Sequence, residues 1–203
     1  MKIFAAEFIK SCVSSEQFPS GGLHEIAFVG RSNVGKSSLL NSLLNRRDLA
    51  KVSRTPGKTQ AVNVFQISTS DPHLSEFYLI DLPGYGFANV PKTVRSQWGP
   101  LLENYLLGRE ALLRVVLLVD SRVVTDQDRQ TMAWLHSIGH DPVVVATKVD
   151  KLKAHERVRT MRQIHQSLGL AEGDAVIPYS SLTGEGRDRL WGSLREAAGR
   201  RDL

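Results

Sequence analysis

The chain has 203 residues, 41% of them hydrophobic and 23% charged, which is ordinary for one globular domain with a sizeable core. Its single cysteine, Cys12, excludes an intrachain disulfide framework and fits a reducing, cytoplasmic compartment. The net charge of +5 is modest, and no apolar run reaches the roughly 18 residues needed to cross a bilayer.

The opening MKIFAAEFIKSC is too interrupted for a signal peptide and is read as a short N-terminal extension over 1–22. Strands are then predicted at His24–Gly30, Phe77–Asp81, Val115–Asp120 and Pro142–Thr147. Their near-continuous apolar runs suit a parallel sheet covered on both faces. Ala61–Ser68 alternates and is expected at an edge, and Ala175–Ser180 closes the series, with Pro178 favouring an edge. Helical patterns fill the intervals: Lys36–Leu44, Pro91–Leu107, Asp126–Ile138, Lys153–Leu168 and Gly186–Ala198. Gly99-Pro100 is expected to kink or break the second. The alternation predicts an α/β fold: a three-layer, doubly wound, mostly parallel sheet with one antiparallel edge strand, forming a single domain. Ligands in such sheets bind beyond the carboxyl ends of the strands.

The motifs fall at those ends. Gly30-Arg31-Ser32-Asn33-Val34-Gly35-Lys36-Ser37 fits G-x-x-x-x-G-K-[ST] between a predicted strand and a predicted helix. Glycines let backbone N–H groups close around phosphates, and the helix N-terminus adds its positive end. Lys36 is expected on the β- and γ-phosphates and Ser37 on Mg²⁺. Asp81-Leu82-Pro83-Gly84 ends another strand. Its carboxylate would hold Mg²⁺ through a water, and the Gly84 N–H would meet the γ-phosphate. A further hydroxyl is needed over the phosphate and metal. Thr55 and Thr59 are both available in SRTPGKTQ, and Thr59, just before the alternating strand, is preferred.

Thr147-Lys148-Val149-Asp150 follows the fourth predicted strand. An aspartate there accepts two hydrogen bonds from the N1–H and N2–H₂ edge of guanine, which adenine lacks. Lys148 would lay its stem on the base, and Tyr179-Ser180-Ser181 would offer a backbone N–H to O6. GTP is therefore favoured over ATP.

Residue 85 is a tyrosine where many related GTPases carry a water-orienting glutamine, so slow intrinsic hydrolysis is expected. With glycines on either side, the stretch 84–90 reads as a switch. Its ordered form is expected to present Tyr85 and Phe87 to a partner; the competing expectation is that these rings pack on the second helix. Residues 46–59 carry Arg46, Arg47, Lys51, Arg54 and Lys58 against Asp48 alone, which suits a polyanion such as RNA or the nucleotide's own phosphates.

Taken together, GRSNVGKSSLLN, SRTPGKTQ, DLPGYGFA, TKVDK and SSLTGEG resemble the EngB family of bacterial P-loop GTPases over about residues 4–198. Thr147 replaces the asparagine usual in GTPases at large and is similar to what this family carries. The resemblance implies a Mg²⁺-dependent GTPase acting in assembly of the large ribosomal subunit, linked to cell division and septation. It implies that Gly30–Ser37, Gly57, Lys58, Thr59, Gln60, Ala61, Asp81–Gly84, Thr147–Asp150 and Tyr179–Ser181 line the nucleotide, with Ser37 and Thr59 on the metal. Asn33 resembles the asparagine of potassium-stimulated GTPases, which raises K⁺ as a second cation. A monomer is expected. The rival reading is a non-catalytic scaffold whose GTP and GDP states select protein partners in division.

Overall fold

The structure, a computed structural model, describes residues 1–50, 61–85 and 101–201. Seven strands form one sheet: β1 (Ile3–Cys12), β2 (His24–Gly30), β3 (Val62–Thr69), β4 (Glu76–Asp81), β5 (Leu112–Asp120), β6 (Val143–Thr147) and β7 (Val176–Pro178). They lie in the order β1-β3-β4-β2-β5-β6-β7. The run from β4 to β7 is parallel, while β3 pairs antiparallel with both β1 and β4. The helices are α1 (Lys36–Leu43), α2 (helical residues 101–106), α3 (Asp126–Ser137), α4 (Arg157–Ser167) and α5 (Arg187–Arg201). This is the expected three-layer α/β fold.

One face of the sheet packs Ile26, Phe28, Ile67 and Leu118 against Leu39, Leu40 and Leu43 of α1 and Leu190, Trp191 and Leu194 of α5. The other face packs Val29, Ile80, Leu117 and Ala146 against Tyr105 of α2, Met132 and Leu135 of α3 and Ile164 of α4. The parallel strands are buried from both sides, which is why their sequences run apolar without alternation.

Two expectations need correction. The alternating strand β3 is not outermost, because β1 covers it. Residues 3–12 of the N-terminal extension thus form a strand. Register shifts between Ile3 and Ala5 and between Phe8 and Lys10 break its period of two, which hides it from a pattern search. The fourth helix begins at Arg157, after a 3-10 turn at Ala154–Glu156. Of the expected second helix, residues 91–100 lie outside the described residues.

Candidate functional site

The carboxyl ends of β2, β4, β5 and β6 converge with the start of α1, and the motif residues gather there. β2 ends at Gly30, where a Cβ would come within 3.0 Å of Leu118 and of Val34, so the loop leaves the sheet with no room for a side chain. Gly35 has φ 105°, a left-handed conformation that suits glycine, and caps α1. The loop is then tied down from the far side. Thr147 Oγ1 donates to the Val34 carbonyl over 2.6 Å, and Lys148 Nζ donates to the Asn33 carbonyl over 2.6 Å. In a trans peptide the N–H opposes the C=O, so the Gly35 N–H points away from Thr147. The loop offers backbone donors and a helix N-terminus to an anion.

Asp81 ends β4, 3% exposed. Its Oδ1 is paired with Lys36 Nζ, and its Oδ2 accepts from Asn63 Nδ2 at 3.4 Å. Gly84 lies flat on the phosphate loop: a Cβ there would sit 3.0 Å from Ser32 Oγ and 3.4 Å from the Gly30 carbonyl. Leu82 and Pro83 are buried between these two points, and Leu82 N–H donates to Phe28 O.

On the base side, Lys148 adopts the left-handed conformation (φ 61°) and extends its ammonium to Asp120 at 2.9 Å. Asp120, the last residue of β5, is buried and also takes a bidentate pair of hydrogen bonds from Arg122 at 2.8 and 2.9 Å. Burial by itself would raise the Asp120 carboxyl. The hydrogen bonds from Arg122 and Lys148 outweigh it and hold the group well below the usual carboxylate range. Asp150 Oδ1 accepts from Ser180 Oγ at 2.7 Å, and this bond lowers its pKa, with burial opposing and Lys151 assisting. Ser180 Oγ in turn accepts from the N–H groups of Leu182 and Thr183, and Val149 N–H donates to the Tyr179 carbonyl. The Tyr179 ring is buried and its hydroxyl donates to Ser42 Oγ of α1. Gly186 closes this turn with φ 84°; a Cβ would fall on the Pro178 carbonyl, so only glycine fits.

The structure thus brings Gly30–Ser37, Ala61, Asp81–Gly84, Thr147–Asp150 and Tyr179–Ser181 to one end of the sheet. Gly57, Lys58, Thr59 and Gln60 lie outside the described residues, as do Arg54 and Thr55. Arg31 contributes its backbone to the loop, while its side chain, 25% exposed, runs to Asp128 at the start of α3, 3.9 Å away. Pattern reading missed Asp120, Arg122 and Asp128. The signal for Asp120 was present: a carboxylate closing an apolar strand at the ligand-binding end.

Tyr85 is held within the chain itself. It forms an isolated parallel bridge with Arg31, its ring is partly buried, and its hydroxyl donates to Asp128 Oδ1 at 2.9 Å. The ring packs against the core layer that includes Tyr105 and Leu106 of α2, and its hydroxyl goes to α3. A buried phenol needs an acceptor and Asp128 needs donors, and each satisfies the other. Burial, then the adjoining Asp128 charge, push the phenol well above its ordinary pKa, so it is a neutral donor. Phe87 lies outside the described residues.

Backbone donors, a helix N-terminus and a paired lysine form an anion cradle beside a hydrogen-bonded aspartate that can read a base edge. The hydroxyl of Ser37 and the carboxylate of Asp81 are hard oxygen donors, and among the described residues no cluster of three His, Cys, Asp or Glu could hold a metal. That sparse set suits Mg²⁺, which keeps waters and takes substrate phosphates as ligands. Among the described residues no helix is long and apolar enough to cross a membrane.

Comparison with known proteins agrees with this geometry. The family model described as "50S ribosome-binding GTPase" matches residues 25–148. The chain is 49% identical over 197 residues to a probable GTP-binding protein EngB of Desulforamulus reducens, covering 97% of this chain and 94% of that protein. A crystal structure of a probable GTP-binding protein EngB superposes with TM-score 0.68 at 23% identity, covering 87% of this chain and 99% of the other. The structure of Era in complex with MgGDPNP and nucleotides 1506–1542 of 16S ribosomal RNA superposes with TM-score 0.70 at 22% identity, covering 86% and 56%. A GTPase fold, the phosphate and base motifs at one sheet end, and relatives matched along almost the entire chain lead to one conclusion: this chain belongs to the EngB family of GTP-binding proteins.

Proposed function

We propose that this chain is a slow, Mg²⁺-dependent GTPase that acts as an assembly factor on the large ribosomal subunit or its precursor. The observation that carries the reading is the match, from β2 through Lys148, to a family described as 50S ribosome-binding GTPases. A protein that shares this fold, Era, has been seen in complex with a segment of 16S ribosomal RNA, which is in keeping with an RNA partner. The basic stretch 46–59 supports a phosphate-rich partner. On this reading the chain works in the cytoplasm as a monomer and a single G-domain, its partners are ribosomal RNA and ribosomal proteins, and its loss disturbs division and septation.

Gly30–Ser37 cradle the phosphates. Lys36, paired with Asp81 here, exchanges that carboxylate for the β- and γ-phosphates. Ser37 and Thr59, supported by Asp81, would hold Mg²⁺, which would offset charge on the phosphates. Gly84 gives its N–H to the γ-phosphate. The family resemblance adds Gly57, Lys58, Gln60, Ala61, Leu82 and Pro83 as residues that would line the nucleotide. Asp150 reads the guanine edge, Lys148 covers the base, and Thr147, Val149 and Tyr179–Ser181 support them. Asn33 admits K⁺ beside the phosphates. Hydrolysis is slow because residue 85 is a tyrosine and not a water-orienting glutamine.

Co-sedimentation with isolated ribosomal subunits tests this, using GDP, a non-hydrolysable GTP analogue or no nucleotide at two salt concentrations, with turnover assayed in K⁺ and Na⁺. Analogue-dependent, salt-sensitive pelleting with the large subunit and faster turnover are expected. Absence of pelleting in every state would overturn the ribosomal part. Pelleting without any turnover would leave a nucleotide-switched scaffold.

A further inference from the structure

Asp128 is a fully buried carboxylate in the first turn of α3. An acidic residue at that helical position ordinarily caps from solvent. Here Oδ2 accepts from the N–H and the hydroxyl of Thr125, both at 2.8 Å, closing the capping box. The other oxygen, Oδ1, is left for Tyr85, whose hydroxyl donates at 2.9 Å. Tyr85 is held at its backbone as well. Its N–H donates to Gly30 O at 3.3 Å, and its carbonyl accepts from the Ser32 N–H at 3.0 Å and from Ser32 Oγ at 3.3 Å. One residue is therefore pinned by its main chain to the phosphate loop and by its side chain to α3. The residue before it is Gly84, which already lies against Ser32 with no space to spare.

The cluster has slack at one point. Arg31 Nε is buried without a hydrogen-bond partner, 3.9 Å from Asp128 Oδ2. A buried donor left unpaired is costly. The same carboxylate thus faces one donor from the phosphate loop, one from the segment after Gly84 and two from Thr125, the cap of its own helix.

We infer that Asp128 is a positioning residue for GTP hydrolysis: through Tyr85 it sets where the Gly84 N–H stands relative to the phosphate loop, and so couples α3 to the γ-phosphate. The inference rests on the GTPase reading. Asp128 touches neither nucleotide nor metal, and it acts through Tyr85. A purely structural tyrosine–aspartate pair would change thermal stability alone. A positioning pair separates the γ-phosphate from the rest of the nucleotide.

The test compares the full chain with Tyr85→Phe, Asp128→Asn and the double variant, all below their unfolding temperatures. Affinities for GDP and for a non-hydrolysable GTP analogue are measured beside single-turnover GTP hydrolysis. Tyr85→Phe keeps the ring and removes only the donor. Loss of one such hydrogen bond should lower the analogue-to-GDP affinity ratio about fivefold and hydrolysis about tenfold. GDP affinity should stay within about twofold. The double variant should be no worse than the poorer single, because both break one link. Unchanged ratio and rate in Tyr85→Phe, or additive losses in the double variant, would overturn the inference. If Asp128→Asn does not fold, the Tyr85→Phe ratio alone decides. A wild-type chain that binds neither nucleotide would instead overturn the GTPase reading itself.

Discussion

Thr147 Oγ1 lies 2.6 Å from the carbonyl oxygen of Val34 and 3.1 Å from that of Val119, so the loop after β6 is fastened to the glycine-rich loop after β2. The residue is buried, where a hydroxyl must be satisfied and an orphaned carbonyl is costly. Thr147→Val keeps the shape and removes the donor. We expect a loss of about 1–2 kcal/mol in nucleotide binding, roughly 5- to 30-fold, equal for GDP and GTP because neither loop position senses the γ-phosphate. Calorimetric titration of both nucleotides checks the magnitude and the equality.

Asp150 is held by Ser180 with its carboxylate poised beside the Tyr179–Ser181 turn. Asp150→Asn replaces one acceptor with a donor. Guanine binding should weaken by about 10²-fold or more, because one of its two edge donors then faces an amide N–H instead of an acceptor and the carboxylate charge is lost. Xanthine nucleotide, which carries a carbonyl in place of the 2-amino group, should gain affinity in the same variant. Competition among GTP, XTP and ATP measures both directions. Equal competition by ATP and GTP in the parent chain would contradict the assignment.

Asp120 gives a pH dependence with a definite sign. Its carboxyl is depressed in the folded chain, so its contribution to stability is present above the unfolded value of about 3.9 and is lost as pH falls through the lower folded value. The stability difference between the parent and Asp120→Asn should therefore be constant from about pH 8 to pH 5 and shrink below about pH 4. Urea unfolding across that range reads it. A difference that already fades near neutral pH would point to another group.

Lys36 and Asp81 form a pair with little exposure on either side. Lys36→Ala, measured without nucleotide, should destabilise by about 3–5 kcal/mol because it strands a buried carboxylate. Lys36→Met combined with Asp81→Asn should recover most of that loss while leaving nucleotide binding impaired. Recovery of binding as well would show that neither residue serves the phosphates.

Much of the site was legible because its chemistry is local. The phosphate loop needs glycines and a lysine at fixed spacing between a strand and a helix, and that spacing survives in one dimension. The four central parallel strands were legible for a related reason, since burial on both faces leaves continuous apolar runs. Strand β1 was not, because its two register shifts erase the alternation that marks a strand.

What the sequence determined by itself was the fold class, the strand ends where ligands are met, and the residue types at those ends. Only the tertiary structure decided their partners within the chain: Thr147 on a carbonyl 113 residues away, Lys148 on Asp120, and Tyr85 on Asp128. The physical reason is the same in each case. A hydrogen bond is chosen by which buried donors and acceptors the packed sheet and helices bring within about 3 Å, and periodicity along the chain carries no record of that choice.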